Sequence, residues 1–581
     1  MRSRDTFLNS ICFASGTLFL LLLALLPAGY LQAQSPYNAL GDTLTVIQIP
    51  ILNVPAIQIP GETMQITCIA PTNTTGWAAY LKHGAKTIPM AITSSEAVTN
   101  PSRWILNAVI PQVPVFELYD LRVTASGGID DTTQNAVQVL PTRKTNYYFA
   151  HVTDLHMPTN IYYPDAGYNS DSTSVNDFRS VVDDLNLIRP EFVLITGDVV
   201  NEGELENFNG MFVYGWAQRV MAELEVPFFL TVGNHDVGGW DATPPSQGSS
   251  RRNWWRYFGW PWLNHTDNSS VPFTQDYSFD YGDLHYIGLE SYDNYDSWRY
   301  NIYGNDSFTA GQMAWLNSEV ALHPNQTKVL FHHYDFNSQL NLSALDIDLS
   351  LWGHIHRNSG SITTFPYDLA TRSTCSGNRA YRIIKVEGTQ ITPYNSIYAG
   401  SSGTNLNVSF IPANNAIADS VMAIVSNNQP LPFNNALVKF RMPSGNATYT
   451  VTNGVLEQVD RSGAYNVCYV RTELAANNTR YVSIKESGTP NDDLVITPSS
   501  SLLNVYPNPF LGSLCLDPYD REIIEVRIYN IRGELIRNFK TSEGMIWDTR
   551  DNKGNSCPAG VYILRARSGE VTQTIKLLKR E

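Results

Sequence analysis

Residues 192–204 read FVLITGDVVNEGE, an apolar run that breaks at Gly197-Asp198. A short apolar run closed by polar residues is the pattern of a buried strand with a working carboxyl end. Working outward from it, the same arrangement recurs along the chain. Residues 147–152 lead to Asp154-Leu155-His156, and residues 228–232 lead to Gly233-Asn234-His235-Asp236. Residues 328–331 lead to His332-His333, and residues 349–352 to Gly353-His354-Ile355-His356. Of the 11 histidines in the chain, six fall inside these segments. Active sites of α/β proteins gather where such strands end, so the five segments are expected on one rim. Between the first two, Val175, Phe178, Val181, Val182, Leu185 and Ile188 repeat at helical spacing, with Ser174 as the expected cap. Strand, helix, strand is βαβ logic. A further helix is expected around Gln312, Trp315 and Leu316.

In this order the segments spell D-x-H, G-D, G-N-H-D, H and G-H-x-H, with no element broken. The pattern resembles the calcineurin-like metallophosphoesterase superfamily over about residues 146–394. That resemblance implies an α/β fold, a two-sheet αββα sandwich, holding two divalent cations. Carried over residue by residue, it assigns one metal to Asp154, His156 and His356, and the other to Asn234, His332 and His354. Asp198 bridges both, and His333 is left outside the ligand set. His354 and His356 stand two apart, so along an extended segment they point the same way and serve neighbouring metals. Oxygen and imidazole donors without thiolate suit zinc, manganese, iron or cobalt alike. The resemblance also places His235 beside the scissile phosphate as general acid, with Asp236 orienting its ring. Hydroxide activated between the two cations attacks phosphorus in line.

Departures narrow the family. Purple acid phosphatases carry a tyrosine three positions after the G-D aspartate, and here that position is Asn201. The 5′-nucleotidases usually end the third motif in glutamate, and here it ends in Asp236. TGDVVNEGE followed by GNHD is most similar to the class III phosphodiesterase branch. The expected activity is therefore hydrolysis of phosphoric mono- or diesters. Two other classes compete with it, a catalytically silent surface-binding protein and a nuclease. Completeness of the ligand positions argues for an enzyme. A net charge of -15 and the lack of a basic stripe argue against stable nucleic-acid binding.

A chain of 581 residues is too long for one core. Arg2 and Arg4, an apolar run over 11–26 and Leu31-Gln32-Ala33 mark residues 1–33 as a signal peptide, and no later run is suited to span a membrane. Short apolar stretches between Pro, Gly and Asn suggest an immunoglobulin-like β-sandwich over 41–140. The metallophosphoesterase domain is expected over 145–394, a second β-sandwich over 395–485 and a polar linker over 486–500. Between Asp236 and His332 lies an aromatic insertion carrying Trp240, Trp254, Trp255, Trp260, Trp262 and Trp298, with Arg251, Arg252 and Arg256 interleaved. It reads equally as a substrate wall or as a packed subdomain.

Residues 501–581 differ in character. YPNPF at 506–510, Trp547-Asp548, PAGVYIL at 558–564 and the basic Lys576, Lys579 and Arg580 resemble the C-terminal sorting domain of type IX secretion. The resemblance implies that secretion machinery as a partner, and a secreted or cell-surface destination by way of the periplasm. Beyond Cys12, the cysteines are Cys68, Cys375, Cys468, Cys515 and Cys557, too scattered for a disulfide framework. Only Cys515 and Cys557 share a candidate domain, and their pairing stays open.

Overall fold

The computed structural model describes residues 45–99, 102–157, 172–201, 203, 213–237, 250–259, 274–291, 307–400, 405–487, 502–518, 523–569 and 571–580. The expected signal peptide and most of the expected linker lie outside these residues. The chain divides into two compact units, Met1–Ser487 and Gly488–Glu581.

Within the first unit, two sheets carry the five motif segments. Strands β1 (Asn146–Val152), β2 (Val193–Thr196) and β3 (Phe228–Thr231) run parallel. The chain then crosses to a second sheet made of β4 (Tyr277–Tyr281), β5 (Leu284–Leu289), β6 (Thr327–His332), β7 (Leu349–Trp352) and β8 (Tyr367–Ala370). It returns to the first through β9 (Ala380–Glu387) and β10 (Gln390–Pro393). The first sheet has the order β3-β2-β1-β9-β10 and the second β4-β5-β6-β7-β8, with β5 to β8 parallel. Their inner faces share one aromatic-rich core. Phe149 and Phe192 stack at 5.3 Å, and Tyr286 of the opposite sheet meets Phe149 edge-on at 5.4 Å. Fully burying such a side chain contributes about 1.5–3 kcal/mol.

Helices close the outer faces. α1 (Ser172–Ile188) and α2 (Val213–Met221) cover the first sheet. The six apolar residues read at helical spacing on α1 are all buried. Ser174 lies inside this helix rather than at its cap, because the helix already runs from Ser172. α3 (Asn234–Val237) is one turn at the end of β3. α4 (Ser250–Phe258) belongs to the aromatic insertion. There Trp254 and Trp255 are buried, and Trp254 stacks on Phe258 at 4.1 Å, so this part packs as a small core. The other tryptophans of the insertion lie outside the described residues. α5 (Ala310–Leu322) covers the second sheet, and Thr309 with Gln312 forms its capping box.

The modules on either side are all β. The first is one continuous eight-stranded path around its own core. Its long strand Lys86–Thr99 pairs with Ala78–His83 by one half and with Ser102–Val109 by the other, with a register shift between Ile92 and Ser94. A bulge of that kind bends a strand and lets it serve two faces. The second module has a four-stranded and a three-stranded sheet between Leu406–Ile411 and Asn478–Ser487. Its core is continuous with the α1 layer, where Phe433 meets Tyr148 edge-on at 6.2 Å.

The second unit is a small β domain of a three-stranded and a four-stranded sheet. Trp547, Tyr562 and Phe510 lie in its core. Asn508 of the YPNP segment donates to the Lys576 carbonyl at 2.7 Å and accepts from the Leu578 amide at 2.9 Å. Cys515 and Cys557 are both free thiols, as are the other described cysteines.

Candidate metal centre

The motif segments follow β1, β2, β3, β6 and β7 and meet on one rim. Their backbone is unusual. Asp154, His156, Asp198, His354 and His356 have φ of 52°, 47°, 50°, 66° and 53°. Non-glycine residues held there cost on the order of 1–3 kcal/mol each and persist only where surroundings enforce them. Here the loops lace into one another. The His156 amide donates to the Asp198 carbonyl at 2.8 Å, the His235 amide to Asp198 Oδ1 at 2.9 Å, and the His354 amide to Asp154 Oδ2 at 3.0 Å. Two motif glycines are required by close approach. A Cβ on Gly233 would lie 2.3 Å from Asp198 Oδ1, and one on Gly353 would lie 1.9 Å from Thr153 Oγ1.

The side chains gather in two sets. In the first, His156 Nε2 and His356 Nε2 are 3.1 Å apart. Asp154 Oδ1 is 3.4 Å from His356 Nε2, and Asp198 Oδ2 is 3.5 Å from His156 Nε2. In the second, Asn234 Oδ1 lies 3.1 Å from His333 Nε2 and 3.2 Å from His354 Nδ1. Asp198 Oδ2 also lies 3.1 Å from His333 Nε2, so one carboxylate oxygen belongs to both sets. Supporting contacts fix the rings from behind. His333 Nδ1 faces the Thr196 carbonyl at 2.7 Å, which only a protonated Nδ1 satisfies. Nε2 then faces two oxygen acceptors, which either a proton on that nitrogen or a cation held among the three atoms satisfies. Imidazole nitrogens and oxygens converging in this way fit divalent cations.

The electrostatics follow from that crowding. Burial alone would raise Asp198, but the His333 and His235 rings hold its carboxyl well below the usual range. Burial opposes charge on His333, yet Asp198 overrides it and pushes the ring up to about 9. His156 is driven down to about 3 by burial and by His235. His354 is lowered to about 4, again chiefly by burial.

Two sequence expectations need correction. His332 was expected in the second set, and His333 occupies that place. Side chains alternate along a strand: Phe331 faces the core between the sheets, and His332 turns to the opposite face. There its Nε2 meets Ser350 Oγ at 3.2 Å and its ring lies edge-on to Phe308 at 5.8 Å. His333, one residue past β6, swings over the rim. Asp236 was expected to orient His235. It is instead buried, with Oδ1 accepting from the Val200 amide at 3.0 Å and Oδ2 from the Gly233 amide at 2.8 Å. Its carboxyl rises well above the usual range, through burial and the nearby Asp198. The Asn201 carbonyl, 2.7 Å from His235 Nδ1, takes the orienting role. The structure brings Asp154, His156, Asp198, Asn234, His354 and His356 together on this rim. Sequence reasoning missed Cys375, whose thiol stands with His156 and His356. It lies beyond the last motif, in a loop without any pattern of its own.

Acidic and imidazole donors in two sets sharing one aspartate, on the rim of paired sheets, are the equipment of a metal-dependent phosphoesterase. The calcineurin-like phosphoesterase family matches residues 147–358, and the secretion system C-terminal sorting domain matches residues 504–580. The chain thus carries a calcineurin-like phosphoesterase domain followed by a type IX sorting domain, which marks it for secretion or the cell surface. No curated protein matches the chain. Among solved structures it is similar to a purple acid phosphatase from yellow lupin (Lupinus luteus) seeds, at 12% identity over 65% of this chain and 73% of that one, TM-score 0.32. It is also similar to a dimetal phosphatase from Danio rerio, at 15% identity over 44% of this chain and 100% of that one, TM-score 0.32. No helix among the described residues is long and apolar enough to cross a membrane.

Proposed function

We propose that this chain is a secreted hydrolase of phosphoric mono- or diesters that works with two divalent cations. One is held by Asp154, His156, Asp198 and His356, the other by Asp198, Asn234, His333 and His354. The observation that carries this reading is the position of Asp198 Oδ2, 3.5 Å from His156 Nε2 and 3.1 Å from His333 Nε2. A pair of cations so held supplies Lewis acidity at phosphorus and a water acidic enough to attack near neutral pH. Asp198 keeps the two positions adjacent. The Asn201 carbonyl holds the proton of His235 Nδ1, so Nε2 is the atom that gives a proton to the leaving oxygen. Asp236 serves by bracing the loops after β2 and β3 through its two amide contacts. The similarity of TGDVVNEGE and GNHD to class III phosphodiesterases supports diesters within the substrate range. In this reading the flanking β modules are immunoglobulin-like scaffolds.

The test is Asp198→Asn, measured for metal content and for hydrolysis of aryl phosphates and phosphodiesters. Loss of metal together with nearly all activity is expected. Two metals per chain and intact hydrolysis in the variant would sink the reading.

A further inference from the structure

We propose that Cys375 is a thiolate ligand to the cation position formed by Asp154, His156 and His356. The proposal rests on the two-cation reading above and adds to it a donor of a different kind.

Its Sγ and one ring nitrogen from each of His156 and His356 all lie within 4.8 Å of one another. Bonds of about 2.3 Å to sulfur and 2.0–2.1 Å to nitrogen bring donors on one tetrahedral cation to about 3.3–3.6 Å from one another. A side-chain movement of about 1 Å or less therefore suffices to close the set. The loop that carries the thiol is anchored by hydrogen bonds. The Thr374 amide donates to the Thr153 carbonyl at 3.0 Å, and the Cys375 amide to the Asp154 carbonyl at 3.1 Å. Behind it, Asp177 accepts from the Gly377 amide and from Arg379 Nε, each at 2.7 Å. The loop is thus tied both to the first motif and to α1.

A buried thiol is more often a small apolar filler. The other described cysteines of this unit fit that description. Cys68 lies in the core of the first β module and Cys468 in the core shared with α1. Cys375 belongs to no apolar cluster among the described residues. It is 3% exposed, yet its neighbours in the loop are the buried polar Thr371, Ser373 and Thr374. A filler gains nothing there, whereas a ligand does.

On binding, the S–H proton leaves to solvent and a sulfur–metal bond forms, with no change of oxidation state. A soft donor on one position of the pair favours zinc, iron or cobalt over magnesium and manganese. The two positions then differ in chemistry, the second having only nitrogen and oxygen donors.

The experiment uses the full chain, stripped with a chelator and reloaded with cobalt(II). The wild type should bind two cobalt ions and show a thiolate-to-cobalt charge-transfer absorption in the near ultraviolet. Cys375→Ser should lose that absorption and keep the visible bands of histidine-bound cobalt, with affinity at one position down by at least about 10–100-fold. Cys68→Ala and Cys468→Ala should keep it. Two bound cobalt ions with no thiolate absorption in the wild type would overturn the inference and leave the two-cation reading standing. The inference falls equally if the absorption survives in Cys375→Ser. A wild type that binds no cobalt would remove both. The wild-type spectrum decides the matter even if the serine variant fails to fold.

Discussion

Asp198 Oδ2 lies 3.1 Å from His333 Nε2, while the neighbouring His332 faces Ser350 on the other side of the strand. Two adjacent histidines therefore have separable roles. His333→Ala should lose a metal and nearly all hydrolysis. His332→Ala should keep both metals and lose about 1–3 kcal/mol of stability, since a buried polar contact is removed. Metal content and the unfolding midpoint, measured on both variants, separate them. The reverse assignment would be indicated by metal loss in His332→Ala alone.

His235 gives a prediction about leaving groups. If it protonates the departing oxygen, His235→Ala should retain both metals and slow hydrolysis of poor leaving groups by about 10²–10⁴-fold. Activated aryl esters need less protonation and should suffer less. Rates across a series of leaving groups check this, and an equal loss for all of them would leave His235 only a phosphate-positioning role.

Asp184 sets a pH dependence away from the metals. It is 4% exposed on α1, and its Oδ2 accepts from the Tyr381 hydroxyl at 2.9 Å. Burial is the main cause that raises it from 3.8 to about 8. A carboxyl raised on folding binds a proton that the unfolded chain has released. That stabilisation is whole below pH 3.8 and is lost as pH climbs through about 8. Asp184→Asn should remove this loss, raising stability on the order of a few kcal/mol at pH 9 with little change at pH 4. Denaturant unfolding at the two pH values measures it, and a uniform change at both would contradict the assignment.

The division after Ser487 bears on export. A chain ending near Ser499 contains every residue of both metal sets. It should bind metals and hydrolyse phosphoesters as the full chain does. In its native host it should remain in the periplasm, because it lacks the sorting domain. Cell fractionation together with an activity assay tests both halves of this. Normal surface delivery, or loss of activity after purification, would make the last unit a structural part of the enzyme.

Much of this was legible before any coordinates. Strand ends, motif order and the helical stripe from Val175 to Ile188 are local patterns. Local patterns follow from backbone geometry, and they pointed to six of the residues that the rim brings together. The glycines of G-N-H-D and G-H-x-H are explained only in three dimensions, where Gly233 presses on Asp198 and Gly353 on Thr153.

What tertiary structure alone decided is which of two adjacent histidines reaches the rim, what holds His235, and what else joins the first cluster. The choice between His332 and His333 depends on the register of β6, because a slip of one residue exchanges the faces of the two rings. The Asn201 carbonyl has no sequence signature, since a backbone acceptor is the same group whatever side chain its residue carries. Cys375 comes beside His356 because its loop bonds to Thr153 and Asp154, a closure between distant segments. The sequence by itself determined the phosphoesterase domain and the sorting domain, both encoded in contiguous stretches. Partners chosen across the chain were left to packing, because they depend on where separate loops meet.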